Sequence, residues 1–312
     1  MANRFTGLLS AHLMLIAFVA SAQTRATGAD LTGRVIDQTQ GVLAGVTVTV
    51  TNVETGQVRT AVTDTEGRFA TPALPPGTYD VRSELQGFAP QSARGITLTL
   101  GAAVEITLTM AVAGAQERIT VNATAPLVDT QKTAVSSVVT QQQIESLPIN
   151  GRNFISFAVI TPGVTTDRTP QQGASATSGL TFAGQRARSN NITVDGLDNN
   201  DPAVNAVRAT FSQEAVREFQ VLTNSYSAEF GKASGGVVNI VTKTGTNRTS
   251  GNLFGYVRDE TLNAKEHFEK FDPAGNRIER EKAPYAQQQW GGTLGGPLRR
   301  DRSFYYLSFE RL

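Results

Sequence analysis

Short β-rich runs alternate with turn signals between residues 30 and 110. Val46, Val48 and Val50 alternate with threonines, so one face packs inward and the other meets water. Sequences such as Leu-Pro-Pro-Gly at 74–77 are typical of turns, because Pro fixes φ and Gly accepts a positive φ. The pattern predicts a small antiparallel β-sandwich with strands at 31–37, 46–53, 57–63, 68–70, 78–84, 96–100 and 104–110.

A second, α+β unit is predicted at 134–249, after a linker at 111–133 that is rich in Ala, Thr, Gln and Val. Thr140 and Gln143 form a capping box, which predicts a short helix ended by Pro148. Phe154, Phe157 and Ala158 share one helical face before a Thr-Pro-Gly turn. Strands are predicted at 135–140, 191–194, 216–222 and 237–241, with the hairpin pair Asp-Gly at 195–196 and a tight backbone approach at Gly235 and Gly236.

The tail at 250–312 has a different composition, with ten of the 22 aromatic residues of the chain. Aromatic enrichment is typical of membrane interfaces. Strands are predicted at 251–259, where both faces carry apolar groups, and at 286–295, where Trp290 and Leu294 lie opposite Gln289 and Thr293. In a third strand Tyr305, Leu307 and Phe309 would face lipid, and Ser308 and Glu310 would face a lumen.

The connections of the tail fit a membrane barrel, since a charged stretch at 260–285 follows the first strand and a short turn at 297–301 follows the second. A soluble sheet of two or three strands with an insert is the alternative. A plugged barrel needs about 22 strands, so we expect the chain to be the N-terminal piece of a longer protein that does not transport by itself.

The N-terminus predicts a cleaved secretory signal peptide at 1–22: Arg4, an apolar run at 8–20 too short to span a bilayer, and an Ala-Ser-Ala triplet. Arg4 is the only charged residue removed, which leaves 27 basic and 27 acidic residues. A nucleic-acid partner is therefore not expected, because phosphate binding needs a cationic surplus.

Catalysis and metal binding find little support in the composition. The chain has no cysteine, and His267 is the only histidine after the signal peptide. Neither a phosphate-binding GxxxxGK[ST] nor a GxSxG motif occurs. The acidic cluster Asp195, Asp198 and Asp201 lacks the ligand spacing of a calcium loop. We expect no enzyme activity, no cofactor and no metal.

Two resemblances to known families organise these predictions. Residues 30–110 contain the motifs GRVID at 33–37, AGVTVTV at 44–50, TDTEGRF at 63–69 and LPPGTYDV at 74–81. With these motifs the segment resembles a carboxypeptidase regulatory-like domain of transthyretin-like shape. Residues 134–249 resemble the plug domain of Oar-like TonB-dependent outer-membrane receptors. The motifs are IESLPINGRNF at 144–154, GQRARSNNITVDGLDNND at 184–201 and EFQVLTNSYSAEFGKASGGVVNIVTKTG at 218–245. The resemblance implies the cell outer membrane with its lipid, a TonB-type periplasmic energiser protein and an unknown nutrient ligand, with sandwich and plug on the periplasmic side.

A strand-competent segment in the linker resembles a TonB box, the segment that adds as a strand to the energiser protein. It consists of Glu117, Arg118, Ile119, Thr120 and Val121. The alternative is that these residues form the last strand of the sandwich or a tether to it.

Two further groups of contacts are implied by the plug resemblance. Asp195, Asp198 and Asn199 lie in a loop that faces the outside in plugs and can contact substrate, against the alternative of a solvated hairpin loop. Arg186 and Arg188 are candidates for pairing with carboxylates of the barrel wall, or else are surface charges.

Two other classes of function stay open at this stage. A secreted carbohydrate- or protein-binding module based on the sandwich would need exposed aromatic platforms, and only Phe69, Tyr79 and Phe88 are available there. A peptidase is disfavoured because the regulatory-like domain is an accessory sandwich and the chain is poor in histidine.

Overall fold

The structure is a computed structural model that describes most of the chain from Thr27 onward. The described residues are 27–113, 120–122, 135–146, 152–167, 179–203, 205, 207–209, 211–262, 264, 270–271, 274, 277–278 and 284–311. The predicted signal peptide, residues Glu117, Arg118 and Ile119, Pro148 and His267 lie outside them.

The first unit is a β-sandwich, and all seven predicted strands are confirmed. Its strands are β1 Ala29–Asp37, β2 Thr47–Asn52, β3 Val58–Val62, β4 Arg68–Leu74, β5 Gly77–Glu84, β6 Gln91–Leu98 and β7 Ala103–Met110. A short strand from the linker, β8 Thr120–Asn122, joins them. One sheet has the order β4-β1-β7 and the other the order β3-β2-β5-β6-β8.

The prediction of a purely antiparallel sandwich was wrong at two places. β1 pairs in parallel with β7, from Asp30 opposite Ala103 to Asp37 opposite Met110, and β8 pairs in parallel with β6. Apolar alternation identifies which face of a strand is buried but carries no information about strand direction. β7 reaches β1 after crossing from the other sheet, and this crossing makes the pair parallel.

The sandwich core accounts for its aromatic residues. Val46, Val48 and Val50 are fully buried, and Phe69 and Tyr79 are buried in the same cluster. The Tyr79 hydroxyl donates to the Pro75 carbonyl at 2.7 Å, so burial leaves its polar end satisfied. Burial of these two rings removes them as a glycan platform.

The second unit is built on a mixed sheet with the order β13-β12-β15-β14-β9. Its elements are β9 Val135–Val139, α1 Gln141–Ser146, β10 Val164–Thr166, β11 Leu180–Phe182, β12 Asn191–Val194, β13 Leu197–Asp198, β14 Val216–Asn224 and β15 Val237–Thr242, with 3-10 helices at Phe154–Ile160, Ala187–Ser189, Gln213–Ala215 and Ala228–Phe230. One face of this sheet packs on Phe157 and other core residues, with the Phe157 and Phe219 ring centroids 6.0 Å apart.

The local signals in the second unit have the expected physical effect. The Gln143 side chain accepts from the Thr140 amide at 3.0 Å, which is one half of a capping box. Asp195 and Gly196 both have positive φ, as a tight two-residue hairpin turn requires. A Cβ built on Gly236 would collide with the Phe182 ring, so only glycine allows β15 to approach it.

The tail forms a three-stranded antiparallel sheet, called here the wall strands. They are β16 Ser250–Asp259, β19 Ala286–Arg299 and β20 Ser303–Arg311, in the order β16-β19-β20. The small hairpin of β17 Lys270–Phe271 and β18 Arg277–Ile278 lies in the stretch between the first two. β19 is longer than predicted, because the register shift between Pro297 and Arg299 lets it pass a proline.

The two faces of the wall strands differ as predicted. Leu253 is 92% exposed, and Leu294, Leu307 and Phe309 are exposed on the same side, whereas Gln289 is buried on the other. The first wall strand also carries two aromatic residues, Phe254 and Tyr256, on its inner side. Among the described residues, no helix is long and apolar enough to cross a bilayer.

Candidate functional site: a plug-to-wall contact

The most densely bonded contact between the second unit and the wall strands is centred on Arg152. Its Nη2 donates to Glu214 Oε1 at 2.5 Å, its Nε to Glu310 Oε1 at 3.0 Å, and its Nη1 to the Tyr256 hydroxyl at 3.0 Å. The Arg152 side chain is 10% exposed, and those of Glu214 and Glu310 are 12% and 13% exposed. Arg152 thus joins a carboxylate of its own unit to a carboxylate of the wall.

Aromatic rings of the first wall strand enclose the guanidinium group. Its central carbon lies 4.3 Å from the Phe254 ring centroid and 5.1 Å from that of Tyr256. A cation over a ring face is attracted by the ring quadrupole, and more strongly when water is excluded. This role explains why β16 carries aromatic residues on its inner face, which left its facing ambiguous in the sequence.

Neutral donors complete the bonding of both carboxylates. Ser212 Oγ donates to Glu310 Oε2 at 2.5 Å and Gln289 Nε2 to Glu310 Oε1 at 2.6 Å. Asn252 Nδ2 donates to Glu214 Oε2 at 3.0 Å. A buried ion cluster is stable only when its remaining lone pairs are satisfied. The Arg152 network, meaning Arg152, Ser212, Glu214, Asn252, Tyr256, Gln289 and Glu310, meets this condition.

A second contact region, called here the seam, lies between the sandwich and the second unit. Glu54 forms an ion pair with Arg217 at 2.9 Å, and the Leu100 amide donates to Glu218 Oε2 at 2.9 Å. Burial raises the pKa of Glu218, while the hydrogen bond from Leu100 and the charge of Arg217 partly offset it. The turn between β19 and β20 joins the seam, since Asn247 donates from its backbone to Glu54 and from its side chain to Asp301.

The acidic residues of the predicted substrate loop are engaged by the plug itself. Asp195 accepts from the amide and hydroxyl of Thr242 at 2.9 and 2.8 Å. Asp198 accepts from Lys232 at 2.6 Å, and this bond lowers the pKa of its carboxyl group. Asn199 is buried and exchanges two hydrogen bonds with the backbone of Ala209. These contacts fix the loop, and a contact with substrate stays a prediction.

The other predicted site residues occupy different positions. Arg186 and Arg188 are exposed, and in the described part of the chain neither has an ion pair with the wall strands. Their pairing with a barrel wall stays a prediction. Of the TonB-box segment, Thr120 and Val121 lie in β8, paired with Ser92 and Ala93 of β6. The backbone of these two residues therefore agrees with the alternative interpretation, in which the segment forms the last strand of the sandwich.

Sequence reasoning missed Arg152, although it lies in the quoted motif INGRNF. The signal that could have found it is Glu310, which was placed on the lumen side of the third strand. A carboxylate facing a packed interior requires a cation or several donors. Arg152 is the arginine just ahead of an apolar helical run, so its backbone is fixed close to the core.

The arrangement joins the surfaces of two units. Among the residues that the structure describes, no group of three His, Cys, Asp or Glu side chains is placed to hold a metal ion. The structure thus has an α+β unit held by buried ion pairs to strands that are apolar on the outside and polar on the inside. That is the architecture of a plugged outer-membrane receptor.

Comparisons with known families identify the same class along the chain. Residues 30–111 match the carboxypeptidase regulatory-like domain, residues 129–238 the TonB-dependent receptor plug domain, and residues 241–312 the outer membrane beta barrel domain. The plug and barrel matches are to domains of outer-membrane receptors, and together with the regulatory-like domain they account for most of the chain. The bounds predicted for the units, 30–110, 134–249 and 250–312, stay predictions.

Among individual proteins, the chain is similar to the TonB-dependent transporter Oar of Myxococcus xanthus. The identity is 29% over 315 residues, covering 98% of this chain and 28% of that protein's length. A solved siderophore receptor, PirA of Acinetobacter baumannii, is 26% identical over 58% of this chain and 25% of its own, with a TM-score of 0.40. The ferric enterobactin receptor PfeA of Pseudomonas aeruginosa is 21% identical over 58% and 25%, with a TM-score of 0.39.

Proposed function

We propose that this chain is the N-terminal part of an outer-membrane receptor that takes up a nutrient, with its plug occluding the barrel lumen. The observation that carries the proposal is the Arg152 network, because it fixes the plug to the inner face of the wall strands. A plug fixed in this way closes the passage until it is moved.

Movement of the plug has to be driven from the periplasm, since the outer membrane has no nucleotide supply of its own. The TonB-type energiser protein is the proposed partner, and Glu117, Arg118, Ile119, Thr120 and Val121 are the proposed grip. An extended strand suits this role because its backbone can add to the edge of a partner's sheet. The nutrient ligand is proposed without an identity, and Asp195, Asp198 and Asn199 remain its candidate contacts.

The remaining parts of the proposal concern location. The predicted signal peptide at 1–22, cleaved after Ala22, would direct the chain out of the cytoplasm. The sandwich would then lie on the periplasmic side, next to the turn between β19 and β20. Contact of that turn with Glu54 through Asn247 and Asp301 supports this placement.

The test removes Arg152 from the complete receptor in its own outer membrane. Arg152→Ala leaves Glu214 and Glu310 buried without their cation, and breaking a buried ion pair costs about 3–5 kcal/mol. We expect a loosened plug and greater entry of vancomycin, measured as increased susceptibility of the cells. The exposed Arg208 provides the control, since Arg208→Ala removes an arginine of the same unit outside the network.

A milder variant separates loosening from misfolding. Glu310→Gln preserves the shape of the side chain and removes only its charge, so we expect an intermediate increase in vancomycin entry. Receptor amounts are measured in isolated outer membranes for every variant. Unchanged susceptibility in both variants, at amounts equal to those of the parent, would show that the network does not hold the plug closed.

A further inference from the structure

Among the described residues, the β6 strand has one edge covered by β5 and the other by the short strand β8. Ser92, Ala93 and Arg94 of β6 lie opposite Thr120, Val121 and Asn122 in parallel register. β8 is the last strand of its sheet. Without β8, this stretch of β6 would present unpaired backbone donors and acceptors, which bind any extended segment of suitable length.

The linker approaches this edge directly from the end of β7. Ala89 donates to the Ala111 carbonyl at 2.7 Å, and Ala113 donates to the Gly87 carbonyl at 2.9 Å. Phe88 and Val112 form an antiparallel bridge between these two bonds. The linker is thus attached to the start of β6 before β8 returns to pair with it further along.

Thr120 and Val121 are therefore residues with two possible uses. They are the described part of the segment proposed as the grip for the energiser protein, and they are also the strand that covers β6. Both uses depend on main-chain hydrogen bonds of an extended segment. In the part of the chain that the structure describes, the pairing with β6 spans three residues. A partner that binds a longer stretch has more hydrogen bonds to offer.

We propose that the β6 edge is the resting place of the energiser-binding segment, and that β6 and the periplasmic partner compete for Thr120 and Val121. The inference rests on the proposed function, since it takes the energiser protein as the competitor. In the resting state the sandwich holds the segment. Binding of the partner releases β8 and leaves the β6 edge uncovered.

Release of β8 also changes what is attached to the plug. Residues 123–134 connect β8 to β9, and β9 is the edge strand of its sheet and pairs with β14. An extended stretch of this length spans at most about 40 Å. A pull on the released segment is therefore transmitted first to β9, and from there to the centre of the plug sheet.

A disulfide tests the pairing, because the chain has no cysteine of its own. Arg94 and Asn122 are directly opposite in the parallel register, so Arg94→Cys together with Asn122→Cys should form a disulfide under mild oxidation of the full chain in detergent. The control double variant is Thr49→Cys with Thr60→Cys, which bridges the opposed residues of β2 and β3. It places a disulfide in the same sheet without touching β8.

Binding is then measured with the carboxy-terminal half of a TonB protein, before and after reduction of the disulfide. We expect the oxidised Arg94/Asn122 pair to bind roughly tenfold more weakly than its reduced form, and the control pair to bind equally in both forms. Failure of the disulfide to form, when the control disulfide does form, would overturn the resting place and leave the proposed function intact.

Two other outcomes are equally informative. Equal binding by the oxidised and reduced forms would mean that the partner adds to the free edge of β8 without displacing it, which overturns the competition. No binding by either form, with the disulfide formed, would remove the energiser protein as the partner and the competition with it.

Discussion

Arg152 shows how a single side chain can determine the position of a whole unit. Its backbone φ of +49° is uncommon for a residue other than glycine. The guanidinium group is planar and presents its donors in a fixed fork, so it can bond two carboxylates and a hydroxyl at once while its face lies against a ring. A lysine would supply the charge without this geometry, because its donors lie on a single nitrogen and it has no planar face to lie against a ring.

Gly236 is the second position where one residue limits what the fold tolerates. Gly236→Ala would force a methyl group into the buried Phe182 ring, and overpacking of this kind costs about 1–3 kcal/mol. We expect faster hydrogen exchange of the β15 amides in the full chain. Gly255→Ala is the control, because a Cβ there has no heavy atom within 4 Å. Equal protection of β15 in both variants would mean that the core shifts to accept the methyl group.

The wall strands show at the element scale how far an alternating pattern can be used. β19 and β20 were predicted with the correct faces, because Trp290, Leu294, Leu307 and Phe309 all fall on one side of the alternation. β16 could not be assigned, since Phe254 and Tyr256 serve a cation on the inner side. That cation lies about a hundred residues away in the sequence, where no local pattern connects it to β16.

The exposed face of β16 provides a test of its environment. Leu253→Arg would place a charge on the outer face, and a charge facing lipid near the midplane of a barrel costs about 2–4 kcal/mol. We expect less folded receptor in the outer membrane, measured by the heat-dependent migration of the complete protein in gels. Val62→Arg is the control, since Val62 is 63% exposed on the sandwich. If both variants give the parent amount, Leu253 does not face lipid.

At the scale of the whole molecule, the three units contact one another through polar side chains, in the seam and in the Arg152 network. The order of the units and their longer strands followed from the sequence, because burial patterns and turn residues are local. Of the strands of only two or three residues, β10, β11, β13, β17 and β18 were not predicted. The Glu54–Arg217 and Arg152–Glu310 pairs join residues more than 150 positions apart. Such pairs do not follow from one sequence, because the local sequence around Arg152 or Arg217 does not distinguish it from an arginine exposed on the surface.

The Glu218 carboxyl group predicts how the seam responds to pH. Its folded pKa is raised by burial, so an unfolded or undocked Glu218 ionises at lower pH, near the ordinary value of about 4.3. Docking is therefore favoured most below that value, and it weakens as the pH rises through the folded pKa. We therefore expect the Leu100 amide to become less protected from hydrogen exchange, corrected for its intrinsic rate, over this pH interval.

Substitution of the carboxyl group isolates its contribution. Glu218→Gln retains an oxygen that can accept from the Leu100 amide and removes the charge, so protection of Leu100 should equal or exceed that of the parent at pH 7 and vary less with pH. Glu105→Gln is the matched control on an exposed carboxylate of the sandwich. A pH dependence identical in both variants and the parent would exclude Glu218 as its source.

The parallel pairing of β1 with β7 affects when the sandwich can fold. β1 is the central strand of its sheet, and its full-length partner β7 lies about seventy residues further along the chain. A polypeptide that emerges from a secretion channel N-terminus first would expose β1 long before β7 arrives, so this sheet cannot be completed during the early stage of translocation. Loop closure over such a distance is slow, so this sheet would be completed only after most residues of the sandwich had passed through the channel.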